Sequence, residues 1–482
     1  MTPAQREFLN RFRSPDIDTA TRRLAKLYEE SFRTFGEYTS PPITVPGSWG
    51  LGRRNVRFAP LAPYPRSEAD VLTPSGITTY SMNLYDHQIK NAKALRASIE
   101  RTGGAAIDCS DPGTGKSFTA LCVAATYGYP IQVICPLGVG AGWEQKAKLC
   151  GVKLSWINYE RARRADWMPA DKDALVIFDE VHRCKSPSSA QAELLVRVAA
   201  RHKTLLLSAT PFGSPLETRA ILHALRIVPW GAWYGRLPEW GCFRVKALNN
   251  AWKWNGDPKD IKAIADLIKP SIVKTAWRDV VGYPELLVQP EVTNVRDTAA
   301  VNEALAQIAA SDKKDITKTL KQRMVIERAK VDPLSDIAVD YNAQGMSVIA
   351  FFNFTESLNE WADLTNAAII DGSVTGADRA KVVTEFQAAR APRNLAVNVR
   401  AGGEGIDLHD VSGVPRVAMH NPTWSAQDFR QCIGRTHRIG ARSVGLNKVY
   451  YVADTLETRV MDTVSRKLTH IESLTDADLN AY

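Results

Sequence analysis

The stretch "SDPGTGKSFTA", residues 110–120, constrains the fold more than any other part of this chain. It closes the apolar run "AAIDCS" and opens the helical pattern "GKSFTALCVAATYG". A Gly-x-Gly-Lys-Ser turn gathers backbone N–H groups at the N-terminus of a helix, where negative charge is favoured. It therefore implies phosphate, and it needs a buried strand on one side and a helix on the other. Further apolar runs, "IQVICP", "ALVIFD" and "TLLLSAT", alternate with the helical patterns "GAGWEQKAKLCG" and "PSSAQAELLVRVAARH". Such alternation predicts an α/β class with a parallel sheet covered by helices on both faces, and ligands at the carboxyl ends of the strands. The rhythm breaks after residue 225 and returns from 346 with "MSVIAFFNF", "AAIIDG", "NLAVNVRA", "RVAMHNP" and "NKVYYVA". The expected division is an N-terminal accessory region at 1–75, a first α/β lobe at 76–225, helical insertions and a linker at 226–345, and a second α/β lobe with a C-terminal helix at 346–482. The accessory region starts as an amphipathic helix, "DTATRRLAKLYEESFRTF", and reads as a cap on the main body. The Trp-dense part of the insertion, "PWGAWYGRLPEWGCFRVKALNNAWKW", reads as a small helical core; rings that stack on bases are the alternative.

Composition narrows the class. A chain of 482 residues accommodates two to four domains at roughly 100–200 residues each. No apolar run approaches the ~18 residues of a membrane span, and the start, "MTPAQREFLNRFRSPD", lacks a basic-then-apolar signal pattern. Seven scattered cysteines, none in a Cys-x-x-Cys pair, fit a reducing cytosol and speak against structural zinc. Lys and Arg number 61 against 52 Asp and Glu, a net +9, which is compatible with a polyanionic partner.

Four stretches carry chemistry. Ser110–Ser117 reads as a Walker A loop in which Lys116 reaches the β- and γ-phosphates and the Ser117 hydroxyl ligates Mg²⁺. Ser110 stands where the general pattern has its first glycine. In "LVIFDEVHRCKSP", a strand would deliver Asp179 and Glu180 beside that loop, Asp179 to hold Mg²⁺ and Glu180 to orient and deprotonate a water; a plain helix cap is the other reading. "LLLSATPFG" is a hydroxyl-rich loop suited to coupling hydrolysis to lobe closure, or to capping a helix. In "WSAQDFRQCIGRTHRIG", Arg435 and Arg438 are one helical turn apart, so a helix places both guanidinium groups on one face; they suit a triphosphate, or form a solvated basic face.

The order of "LYDHQ", "DPGTGKS", "ICPLGVGAGWEQ", "INYE", "DEVH", "SATP", "FNF", "AGGEGIDL" and "QCIGRTHRIG" resembles the superfamily 2 helicase series. "GWEQ", "INYE", "DEVHRCKSPSS" and "RTHRIG" resemble its Swi/Snf-type DNA-dependent ATPases, and the insertion resembles that of compact annealing-helicase-like members. The resemblance covers about residues 80–475. It implies two RecA-like lobes with ATP and Mg²⁺ in the cleft between them. Gln88 would read the adenine; Gly113, Thr114, Gly115, Lys116 and Ser117 would hold phosphates and Mg²⁺, with Asp179 and Glu180. Gly405, Asp407 and Gln431 would reach the nucleotide from the second lobe, and Arg435 and Arg438 would be arginine fingers. Lys185, Ser208, Thr210 and Arg400 are candidates for nucleic-acid contact or coupling. The chain departs from the family in having "GTGKS" for "GLGKT" and Lys274-Thr275 where two arginines are common.

The implied function is an ATP-dependent translocase on double-stranded DNA, acting as a monomer in a bacterial or virus-infected cytoplasm, with no membrane partner. A helicase that separates or anneals strands, on forks, single-stranded DNA or RNA, is the first alternative. A nucleic-acid-binding protein with a feeble ATPase is the second.

Overall fold

The computed structural model describes residues 67–72, 79–164, 167–246, 249–280, 282–311, 314–374, 376–402 and 406–464. The expected N-terminal helix lies outside them. A short antiparallel hairpin, β1 (Ser67–Leu72) and β2 (Thr79–Leu84), leads into α1 (Asp86–Thr102). Then follow β3 (Ala105–Asp108), α2 (Lys116–Tyr127), β4 (Ile131–Cys135), α3 (Gly140–Leu149), β5 (Leu154–Asn158), β6 (Leu175–Asp179), α4 (Ala190–Ala199) and β7 (Thr204–Leu207). The first sheet has six parallel strands, with the order β10-β3-β7-β6-β4-β5 once β10 (below) is included. β3 and β7 are buried along their whole length, as unbroken apolar runs in a sheet covered on both faces must be. Two apolar clusters fill the two sides.

The sheet order sets the site. β3, β7 and β6 are neighbours, and Asp108 and Asp179 both pair with Leu207. Three motif-bearing loops, 109–116, 180–185 and 208–214, therefore leave adjacent strand ends on the same edge.

The segment 226–345 departs from the helical expectation. It contains a hairpin, β8 (Cys242–Val245) and β9 (Ala251–Trp254), then α5 (Pro258–Ile268), β10 (Ile272–Val273) and β11 (Leu286–Val292) before the helices α6 (Thr298–Ala310), α7 (Asp315–Ala329) and α8 (Val331–Ala343). "AWKW" alternates with a period of two, which suits a strand, and Trp252 and Trp254 pack on the first-lobe core. Trp233 and Trp240 are buried there too, so the Trp-rich stretch is core, as expected, but part strand. β10 adds to the first sheet beside β3 and β11 to the second beside β16, so the segment contributes to both sheets.

The second sheet comprises β12 (Ser347–Phe352), β13 (Ala368–Ile370), β14 (Asn394–Asn398), β15 (Arg416–His420) and β16 (Gly445–Tyr451) with β11, in the parallel order β11-β16-β15-β12-β14-β13. Its helices are α9 (Thr355–Thr365), α10 (Gly376–Ala388) and α11 (Ala426–Thr436). A last helix starts at residue 456, where the described part ends at 464. All seven cysteines are buried free thiols. Among the described residues, no helix is long and apolar enough to cross a membrane.

Candidate active site between the two lobes

Gly113 and Gly115 bend the phosphate loop through left-handed φ values of 83° and 92°. A Cβ on Gly115 would stand 2.0 Å from the Gln88 amide nitrogen, so both backbone conformation and space demand glycine there. Gln88 is buried. Its Oε1 accepts from the Tyr85 N–H (3.0 Å), and its Nε2 donates to the carbonyls of Thr114 (3.2 Å) and Gly115 (3.4 Å). This amide supports the loop from α1. Lys116, at the start of α2, donates to the carbonyls of Ser110 (2.8 Å) and Asp111 (3.2 Å).

Ser110 has a structural reason to replace glycine. Its Oγ accepts from the Asn91 amide (3.2 Å) and from the Thr275 N–H (3.0 Å), and Asn91 also donates to the Thr275 hydroxyl (2.9 Å). Ser110, where the general loop pattern has glycine, and Thr275, in the Lys274-Thr275 departure, are thus bonded to one another.

The carboxylates follow from β6. Asp179 is oriented by the indole N–H of Trp143 on α3, 2.7 Å from its Oδ2. Burial, with Glu180 next to it, pushes the Asp179 carboxyl upward. Glu180 has φ 56°, a left-handed conformation unusual for a residue with a side chain. Burial pushes its carboxyl up as well, but the hydrogen bond and charge of His182, then Lys116 and Arg435, outweigh burial and hold it at about 2. His182 Nδ1 lies 3.2 Å from Glu180 Oε2 and 3.2 Å from the Ser208 hydroxyl. Ser208 and Thr210 are buried and so offer nucleic acid no surface.

The second lobe brings its cations to the same place. Arg435 is within electrostatic reach of Glu180 and Asp407. α11 ends at Thr436, so Arg438 stands beyond the helix and does not share a helical face with Arg435; His437 caps α11 in an extended conformation. Arg438 still reaches the site: its Nη1 meets Asp407 at 2.9 Å, and its Cγ lies 2.9 Å from where a Cβ on Gly113 would be. The Asp407 carboxyl is opposed by burial but held low by Arg438, Lys146 and Arg435. Gln431 is half-buried one turn before Arg435, and Gly405 lies outside the described residues.

Besides His182, two more residues had no role in the sequence reading. Trp143, in the quoted "GWEQ", orients Asp179. Lys146, one turn later, donates to the Ser117 hydroxyl at 3.3 Å and sits in the fields of Asp407 and Asp179; burial pulls its ammonium below the usual lysine range. The Trp in "GWEQ" was the available signal. Of the remaining candidates, Lys185 is paired with Glu217 at 3.2 Å, and Arg400 is exposed on the second lobe near Arg323.

Four cations, Lys116 and Lys146 on the first lobe and Arg435 and Arg438 on the second, are thus gathered with three carboxylates, Asp179, Glu180 and Asp407, in an inter-lobe cleft. The cations match a triphosphate. The hydroxyl of Ser117 and the carboxylate of Asp179 are hard oxygen donors of the kind Mg²⁺ takes.

The sequence profile of the helicase conserved C-terminal domain matches residues 329–440. A putative ATP-dependent RNA helicase L364 of Acanthamoeba polyphaga mimivirus is 26% identical over 434 residues, covering 78% of this chain and 81% of that protein. The human DNA annealing helicase and endonuclease ZRANB3 is 21% identical over 461 residues, covering 82% of this chain and 42% of its own. The Xenopus laevis SWI/SNF-related matrix-associated actin-dependent regulator of chromatin subfamily A-like protein 1 is 22% identical over 388 residues, 71% of this chain and 39% of its own. The chain is similar to superfamily 2 helicase-like ATPases of the Swi/Snf type. The chain spans about four-fifths of the viral relative and about two-fifths of the vertebrate ones. The profile match ends at Gly440, so it includes the arginine-bearing segment 435–438 of this ATPase.

Proposed function

We propose that this ATPase converts ATP hydrolysis into movement along double-stranded DNA without separating the strands. The observation that carries the reading is the opposition of Lys116 and Glu180 on one lobe to Arg435 and Arg438 on the other, so that a complete site exists only with the lobes together. Both halves belong to one chain, which supports a monomeric motor. The working division is a first lobe at 79–273, a linker at 274–285 and a second lobe at 286–464.

In this reading Lys116 neutralises the β- and γ-phosphates. Ser117 and Asp179 would hold Mg²⁺, whose chemistry is to offset charge on the transferred phosphoryl oxygens. Glu180, held ionised, is a poor proton sponge but a firm acceptor for the attacking water. That suffices, because phosphoryl transfer with a loose transition state depends more on positioning than on base strength. Arg435 and Arg438 stabilise charge on the departing phosphates. The path from Glu180 through His182 to Ser208 supports a coupling role for the "SATP" loop.

DNA as partner is supported by the vertebrate relatives' names and by the net charge of +9. The viral relative is named an RNA helicase, which makes RNA the alternative to test. ATP turnover measured with duplex DNA, single-stranded DNA, forked DNA and RNA as separate activators discriminates them. Duplex DNA should stimulate most, and ATP-dependent displacement of the third strand of a triplex should accompany it. Stimulation by RNA or single strands alone would replace the translocase reading with the helicase one.

A further inference from the structure

Asp111 lies in the phosphate loop, two residues before Gly113, yet its carboxylate leaves its own lobe. Its Oδ1 accepts from the Arg430 guanidinium on α11. Its Oδ2 accepts from the Trp277 N–H in the linker at 3.0 Å. Both charged side chains are at least nine-tenths buried, 6% and 9% exposed. The backbone around them is tied the same way. Asp111 N–H donates to the Thr275 carbonyl (3.0 Å), and the Trp277 indole donates to the Pro112 carbonyl (2.6 Å). Loop, linker and second lobe therefore meet at one carboxylate.

We infer that Asp111 and Arg430 are a positioning pair for hydrolysis, registering α11 against the phosphate loop and so fixing where Arg435 and Arg438 stand relative to Lys116 and Glu180. Arg430 and Arg435 share one helix, and about 7.5 Å of rigid helix separates them. A shift of Arg430 is thus a shift of Arg435. A buried ion pair adds little net stability compared with apolar packing, but a half-separated one is strongly disfavoured. The pair is accordingly either made or broken, and the lobe contact it governs is discrete. The two Asp111 oxygens take different partners, so the junction forms only when the linker and α11 are both in place. The inference rests on the proposed ATP-driven reading.

The test uses the full chain, measuring kcat and KM for ATP with and without duplex DNA, with melting temperature as a fold control. Asp111→Asn and Arg430→Met should each lower kcat about 10–100-fold, the scale of an ångström-sized misplacement of reacting groups, with KM changed by no more than about threefold. The double variant strands no charge and should be no slower than the slower single one. Adding Arg430→Met to Arg435→Ala should cost little more than Arg435→Ala alone, because registration acts through that arginine. Should either single variant fail to fold, Arg430→Lys carries the test: it keeps the charge, loses the planar fork, and should lower kcat about tenfold. Parental kcat in folded variants, or losses that multiply in the double variant, would overturn the pair. In the same assay, duplex stimulation of the parent tests the functional reading. The ratio of variant to parent turnover, with or without duplex, tests the pair.

Discussion

Glu180 combines two properties that no motif spells out: a left-handed backbone and a histidine that holds it ionised. Non-glycine residues in that conformation cost about 1–3 kcal/mol and persist where the surroundings enforce them. Here strand β6 behind it and His182 ahead of it do so. Glu180→Gln should retain ATP binding and stop turnover, read by nucleotide titration beside single-turnover hydrolysis; parental turnover would remove Glu180 from the site. Lys116→Ala should abolish both. Arg435→Ala should lower kcat by about 10³-fold or more, on the scale of arginine fingers, with ATP affinity much less affected. Arg438→Ala should lower it less, because Arg438 already shares its charge with Asp407. The carboxylates were legible as residue types at a strand end, and the cations at a helix start and along a helical pattern. The partners that tune them, Trp143, Lys146 and His182, were not. Their proximity comes from α3 and the turn after β6 packing onto the same edge, which no local spacing records.

At the scale of elements, helix α11 is the part most exposed to test. Gly434 sits within it, and alanine is favoured over glycine in a helix by about 1 kcal/mol. A Cβ there would nevertheless stand 2.3 Å from the Pro112 Cβ of the phosphate loop. Gly434→Ala should therefore cut kcat at least about tenfold, because an ångström-scale displacement is enough for that loss, and should lower the melting temperature, because the displaced contact lies beside the buried Asp111–Arg430 pair. Thermal melting beside steady-state kinetics decides it, and an unaltered kcat would mean that the loop yields. The sequence pattern identified strands wherever an apolar run was continuous, as in "ALVIFD" or "MSVIAFFNF". It missed β5, an edge strand whose "LSWIN" is broken by polar residues, β10, whose two residues are too short to show a period, and β11, where Pro290 interrupts the run. β11 tolerates proline because it is an edge strand with one neighbour. Arg438 was placed on a helix because spacing alone cannot tell where a helix stops; the chain turns out at His437, whose ring nitrogen bonds the Pro284 carbonyl at 2.8 Å.

For the whole molecule, the two-lobe plan was readable from the alternation of patterns, while the contact between lobes was not, since it joins residues such as Asp111 and Arg430 that lie far apart in the chain. If the duplex is held through its phosphates, each neutralised phosphate adds a slope of about −0.9 to the dependence of log affinity on log salt. The activation constant for duplex should then rise on the order of 10³-fold between about 50 and 200 mM salt for about six such contacts. The KM for ATP, set inside a cleft, should change far less, and parallel titrations of both separate the effects. The linker has a further consequence. It runs from β10 to β11, and on the way Thr275, Trp277 and Tyr283 all bond the phosphate loop or its neighbours. If the lobes turn about this linker, the pivot lies beside the phosphates, with a short arm to the nucleotide and a long one to the outer faces of the lobes. Small displacements at the phosphates would then become large ones at the rims, with force reduced in the same proportion, a gearing that would suit the proposed movement along an intact duplex better than prising it open.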